Sequence, residues 1–203
     1  MSTPTQALLH QPNTLTCNVE ELVPLLLGEW RVSVASTLPL WKDKKNVVIE
    51  YNPVKGEAST TLDDLVSYNK RSDKPGTKAS TVHGVDRFEG TLRDSDQAAQ
   101  EQSLTGGPRW KWRGKGWLVI ASSHWQVLGH NLTSATQSSS TEPQWVVTYF
   151  ASTLFTPAGL DIYTRQTLDD DVVAKLTREL EGLGGEVAEL CKDGKMFRIP
   201  HDE

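Results

Sequence analysis

Gly28-Glu29-Trp30-Arg31-Val32-Ser33-Val34-Ala35-Ser36 is the stretch whose reading decides the fold. Trp30, Val32 and Val34 fall on one face, and Arg31, Ser33 and Ala35 on the other. That is the period of two of a half-buried strand. Gly28, with no Cβ, lets the chain turn sharply into the strand. Trp30 then supplies a large apolar plug. The stretch reads as the first strand of a closed antiparallel barrel, with Trp30 closing one end.

On the N-terminal side, residues 1–17 are polar, aperiodic and carry two prolines, which predicts a flexible leader. Residues 18–203 are expected to form one domain. Asn18 precedes Val19-Glu20-Glu21, an N-cap with a Glu three residues later. Pro24 limits the resulting helix to one or two turns. Leu25 to Leu27 then carry apolar bulk straight into Gly28, across a barrel end.

On the C-terminal side, alternation predicts strands over Asn46–Asn52, Leu62–Lys70 and Ala79–Phe88. In the last of these Val82 and Val85 fall out of phase, so a bulge is expected at Gly84. Arg109–Arg113 places Trp110 and Trp112 on one face. Trp117–Leu128 is the longest strand candidate, followed by Trp145–Phe155 and Leu160–Gln166. Gly90–Pro108 and Asn131–Glu142 read as polar loops. Thr167–Gly182 is predicted helical. Asp169 to Asp171 suit the positive end of its dipole, Val173, Leu176, Leu180 and Leu183 form a stripe, and Gly184-Gly185 stops it. The absence of βαβ alternation excludes Rossmann and TIM architectures. The fold class expected is mainly β: a closed antiparallel up-and-down barrel of eight to nine strands, with a short N-terminal plug helix and a C-terminal amphipathic helix. Eight strands leave room for about one small ligand.

Composition narrows the function. Charged residues make up 23% and hydrophobic ones 37% of 203 residues, a globular balance. A net charge of -5 argues against nucleic acid or an anionic membrane as the main partner. No apolar run reaches the ~20 residues of a membrane span, and no signal-peptide pattern opens the chain, so a cytoplasmic protein is expected. Cys17 and Cys191 are then expected as free thiols, and the Asn131-Leu-Thr sequon is expected to stay unused.

The order of elements and two motif residues resemble the lipocalin (calycin-like) barrel family. Gly28-Glu29-Trp30 after a short helix is similar to the family's Gly-x-Trp motif. Arg165, in the last strand before the C-terminal helix, resembles the arginine that lies over that tryptophan. Trp112-Arg-Gly-Lys-Gly-Trp-Leu and Ala121-Ser-Ser-His-Trp further resemble lipocalin-like proteins of filamentous fungi that mostly lack assigned functions. The resemblance covers about residues 18 to 185. It implies that Gly28, Trp30 and Arg165 close the barrel and that the interior takes a small apolar molecule.

Among residues able to carry chemistry, the five histidines are scattered without a second ligand at metal spacing, so no metal site is expected. No glycine-rich phosphate loop appears, and no cofactor is expected. Ser122, Ser123 and His124 lack a nucleophile elbow. His124 is instead a candidate general acid or base, with Tyr149 and Asp161 as possible proton-transfer partners. Glu50, Asp64, Asp86 and Asp161 are read first as solvated outer-face acids; any that points inward would have a raised pKa. Trp41, beside Lys42, Lys44 and Lys45, is placed at the barrel mouth, and the lysines are read as a solvated loop. Trp41, Tyr51, Tyr68, Trp112, Trp117, Trp125, Tyr149 and Phe150 are the candidate ligand-lining residues. Binding of a small, largely hydrophobic molecule is the leading expectation. The alternative is a cofactor-independent isomerase, cyclase, dehydratase or decarboxylase acting on a small hydrophobic metabolite. An apolar interior favours carriage, and converging titratable groups favour catalysis.

Overall fold

A computed structural model describes residues 9–14, 19–36, 40–89, 109–133, 142–154 and 156–202, without the Trp117 side chain. Cys17, the Asn18 cap, the Gly90–Pro108 loop and Phe155 lie outside the described residues.

The first helix among the described residues is the two-turn α1 (Val19–Leu26). Eight antiparallel strands follow: β1 (Gly28–Ala35), β2 (Lys44–Pro53), β3 (Leu62–Lys70), β4 (Ser80–Glu89), β5 (Arg109–Gly114), β6 (Ser122–His130), β7 (Trp145–Phe150) and β8 (Gly159–Thr164). Each pairs with the next, and β1 pairs with both β2 and β8, so the sheet closes into a barrel. Closure removes the open edges that would otherwise invite association. Helices α2 (Asp170–Gly182) and α3 (Gly185–Cys191) follow, and β9 (Phe197–Arg198) adds to β1 beside Val34 and Ala35. Among the described residues, no helix is long and apolar enough to cross a membrane.

Two apolar clusters lie on the two sides of the barrel wall. The inner one joins α1 to Trp30, Val32, Ile49, Tyr51, Leu62, Val66, Trp110, Trp125, Val127, Val146 and Tyr163. The outer one packs Val34, Leu128, Val147, Leu160 and Ile162 against Leu176, Leu180 and Val187 of the C-terminal helices. Strand β8 is therefore buried on both faces. Residues 9–14, within the stretch read as a leader, run along β6. The His10 amide donates to the Leu128 carbonyl at 3.0 Å, the Asn13 backbone amide donates to Gln126 Oε1 at 2.7 Å, and Gln126 Nε2 donates to Asn13 Oδ1 at 2.9 Å.

Arg165 closes one end. Its guanidinium lies 4.1 Å over the Trp30 ring and donates to the carbonyls of Leu25 and Leu27 at 3.1 and 2.7 Å. Trp30 is fully buried and donates its indole N–H to the Leu26 carbonyl at 2.7 Å. Gly28 has a φ of 94°, and a Cβ there would stand 3.2 Å from Arg165 Nη1. The turn and the arginine's approach both require glycine.

Three sequence expectations are corrected. No bulge occurs at Gly84, since its register with β3 and β5 is unbroken. A Cβ at Gly84 would sit 2.2 Å from the Trp112 indole nitrogen. The glycine thus makes room for a ring rather than for an extra residue, and bulges fall in β1, β2 and β6 instead. The long strand expected from Trp117 is a 3-10 turn (Gly116–Leu118) before β6 begins at Ser122. That turn leaves Ile120 87% exposed. Strand β7 ends at Phe150, not Phe155.

Replacing Arg165 by Ala should lower unfolding free energy by about 2 kcal/mol, from the lost cation–π contact and charged hydrogen bonds. Arg165→Lys should recover less than half, because a point charge cannot replace the planar fork. Urea denaturation checks both. Gly84→Ala should cost about 1–3 kcal/mol through overpacking, and that loss should shrink in a Trp112→Leu background.

Candidate functional site

The strand register assigns the inward face residue by residue. Cross-strand partners share a face, and they run Trp30 to Ile49, Tyr51 to Asp64, Leu62 to Asp86, Asp86 to Trp112, Trp110 to Trp125, Trp125 to Phe150, Thr148 to Asp161 and Tyr163 to Val32. The interior is thus an aromatic wall with carboxyls set into it. Trp125 stacks on Trp110 at 4.7 Å and on Tyr51 at 5.8 Å, while Phe88 meets Trp110 edge-on at 5.6 Å. Trp41 meets Tyr68 edge-on at 6.3 Å, with Lys44 Nζ 5.3 Å above the Tyr68 ring.

Asp64, Asp86 and Asp161 are all buried, the last two completely. This overturns their reading as solvated outer-face acids; Glu50 alone of the four stays at the partly exposed surface, bonded to Asn52. Asp86 Oδ1 accepts from the Trp125 indole at 2.7 Å, and Asp161 Oδ2 accepts from the Trp41 indole at 3.0 Å. The second oxygen of each carboxyl has no hydrogen-bond partner among the described residues. Asp64 Oδ1 and the Tyr163 hydroxyl are in the same condition.

Burial raises the pKa of every one of these groups. Asp161 is pushed up to about 7 by loss of solvent, with the Trp41 hydrogen bond opposing the shift. Asp64 and Asp86 sit diagonally across β3 and β4, where side chains remain within reach. Burial, and then the charge of Asp86, drive Asp64 well above the usual carboxylate range. Burial likewise raises Asp86. Burial raises both phenols: Tyr51 is raised further by Tyr163 and the carboxyls, and Tyr163 by Asp161, with its contacts to Thr148 and Tyr51 opposing the shift. The acids, phenols and indoles thus make one set of donors and acceptors, able to bind a polar group or to move a proton close to neutral pH.

Tyr51, Tyr68, Trp112, Trp125, Phe150 and Trp41 belong to the inner cluster or pack against it. Trp41 is buried, its indole held by Asp161. The structure does not gather His124, Tyr149 and Asp161. His124 is opposite Lys111 on the outer face, 3.2 Å from Glu89. Tyr149 belongs to the outer cluster and donates its hydroxyl to Glu186 of α3 at 2.7 Å. Of the lysines at residues 42 to 45, Lys44 pairs with Asp43 and Lys45 with Asp202. Among the described residues, no group of three His, Cys, Asp or Glu side chains is arranged to hold a metal ion.

A phase signal for two of the acids was present in the sequence: Asp64 falls in step with Leu62 and Val66, and Asp86 with Phe88. Asp161 gave none, because both faces of β8 are buried and its inward side differs only in what covers it.

Solved structures share this fold. Lobster apocrustacyanin A1 aligns with a TM-score of 0.56 at 11% identity, covering 100% of this chain and 94% of that one. Apocrustacyanin C2 aligns at 0.53 and 10% identity, and apocrustacyanin C1 at 0.52 and 11%, each with the same coverage. No family model and no curated protein sequence matches the chain. The barrel is lipocalin-like, and identities this low carry the fold alone.

Raised carboxyl pKa values fix the sign of the pH dependence. The stability that protonated Asp161 contributes is fully present below its unfolded value near 3.8 and is lost as pH rises towards about 7. Thermal melting should therefore show the wild-type midpoint falling as pH rises from about 4 to about 7. Asp161→Asn should flatten that fall and melt higher than wild type at the alkaline end.

Proposed function

We propose that the barrel interior binds a small, largely hydrophobic molecule that also carries a hydrogen-bonding group. The observation carrying this reading is the set of four buried polar atoms without partners among the described residues, inside an aromatic wall. A buried polar group left unpaired costs about 1–3 kcal/mol. Four such atoms on one inner face form a place where a ligand's polar group would offset that penalty. The rings would take its apolar body. Cys191 is a free thiol, and a cytoplasmic location suits it.

Asp161, held near neutrality, favours a second reading in the same site. A cofactor-independent isomerase, cyclase, dehydratase or decarboxylase needs a positioned substrate and one or two groups that exchange protons at working pH. Asp161, Asp86 and Asp64 supply such groups, and Tyr163 would orient the substrate.

Native mass spectrometry of the protein purified from its own source tests both readings. One apolar metabolite retained per chain, quenching tryptophan fluorescence when added back, is expected for binding. Conversion of that metabolite on re-addition, slowed about 100-fold or more by Asp161→Asn, is expected for catalysis. A chain that retains nothing and shows no tryptophan response to a panel of uncharged apolar probes would overturn both.

A further inference from the structure

We propose that the carboxyl-bearing interior of the barrel selects a small organic amine in its protonated form, one with an aromatic or aliphatic body. This inference rests on the reading of the interior as a ligand site and names the ligand's chemistry. Three carboxyls from three strands, Asp64 of β3, Asp86 of β4 and Asp161 of β8, face one interior. Among the described residues none of them has an ion-pair partner. Lys44, over the Tyr68 ring, is already paired with Asp43 at 2.7 Å.

The unmet atoms specify a donor. Each of two carboxyls already spends one oxygen on an indole N–H, from Trp125 and Trp41. What remains is Asp64 Oδ1, Asp86 Oδ2 and Asp161 Oδ1, which accept when their carboxyls are ionised, with the Tyr163 hydroxyl in the same buried set. An alkylammonium group is donor only, which complements a carboxylate oxygen that still lacks a donor. An anion would meet like charge, and a neutral hydroxyl would supply a single donor. The rings of Trp41 and Tyr51 belong to the same interior and would pack on the amine's apolar body. A metal ion is the poorer candidate, since the described side chains form no three-ligand group. The cation that fits is organic, with an apolar body for the rest of the wall.

Isothermal titration calorimetry at pH 8 tests this with matched pairs: phenethylamine against phenethyl alcohol, and tryptamine against tryptophol. Each amine should bind at least tenfold more tightly than its alcohol. Asp161→Asn and Asp86→Asn, each shown to be folded by near-ultraviolet circular dichroism, should reduce that preference to threefold or less. Prodan, an uncharged naphthalene fluorophore, separates the two levels of the argument. If prodan binds but amines show no preference over alcohols, the amine inference is overturned while the ligand-site reading stands. If neither prodan nor any amine or alcohol binds, the ligand-site reading fails and the inference fails with it.

Discussion

Much of this molecule follows from one contact, the Arg165 guanidinium lying over the Trp30 indole. A barrel of eight strands encloses an interior only if its ends are managed, and here one end is shut by that stacked pair beneath α1. The arginine does more than cover a ring. By bonding the carbonyls of Leu25 and Leu27 it takes up acceptors at the end of α1, where intrahelical donors run out. The same side chain thus fixes α1, the start of β1 and the end of β8 relative to one another. Gly28 is the backbone condition for that arrangement, because its positive φ and its missing Cβ are both used.

A sealed apolar end makes the carboxyls above it consequential. In water, Asp64, Asp86 and Asp161 would be ordinary solvated acids. Inside a wall of stacked rings their charged forms are disfavoured, and indole N–H groups return only one hydrogen bond each to Asp86 and Asp161. Stability alone would favour apolar residues of similar size at these positions. That three strands each bring a carboxyl inward is the feature from which the proposed ligand reading starts.

The outer face works differently. Helices α2 and α3 cover β8 and part of β7, so Tyr149 becomes a strut to Glu186 instead of a wall residue. His124 joins Glu89, Arg109 and Lys111 in an exposed charged group on the uncovered side. One barrel wall thus separates an ionic outer surface from a buried aromatic interior, and membership of either set depends on a single step in the alternation.

The sequence by itself determined the class of fold. A glycine-led tryptophan strand, repeated period-two segments, short connections and a late amphipathic helix suffice for a closed antiparallel barrel, because local periodicity records burial on one face. It also marked Trp125, Tyr51 and Phe150 as wall candidates. What it left open was the face of each acid and the end of each strand. Trp117 fits an alternating pattern yet lies in a 3-10 turn, since Gly116, at a φ of 61°, bends the chain before pairing resumes at Ser122. The gathering of Asp64, Asp86 and Asp161 was decided only by tertiary structure. They come from positions far apart in the chain, and only closure of β1 against β2 and β8 turns their three faces towards one interior.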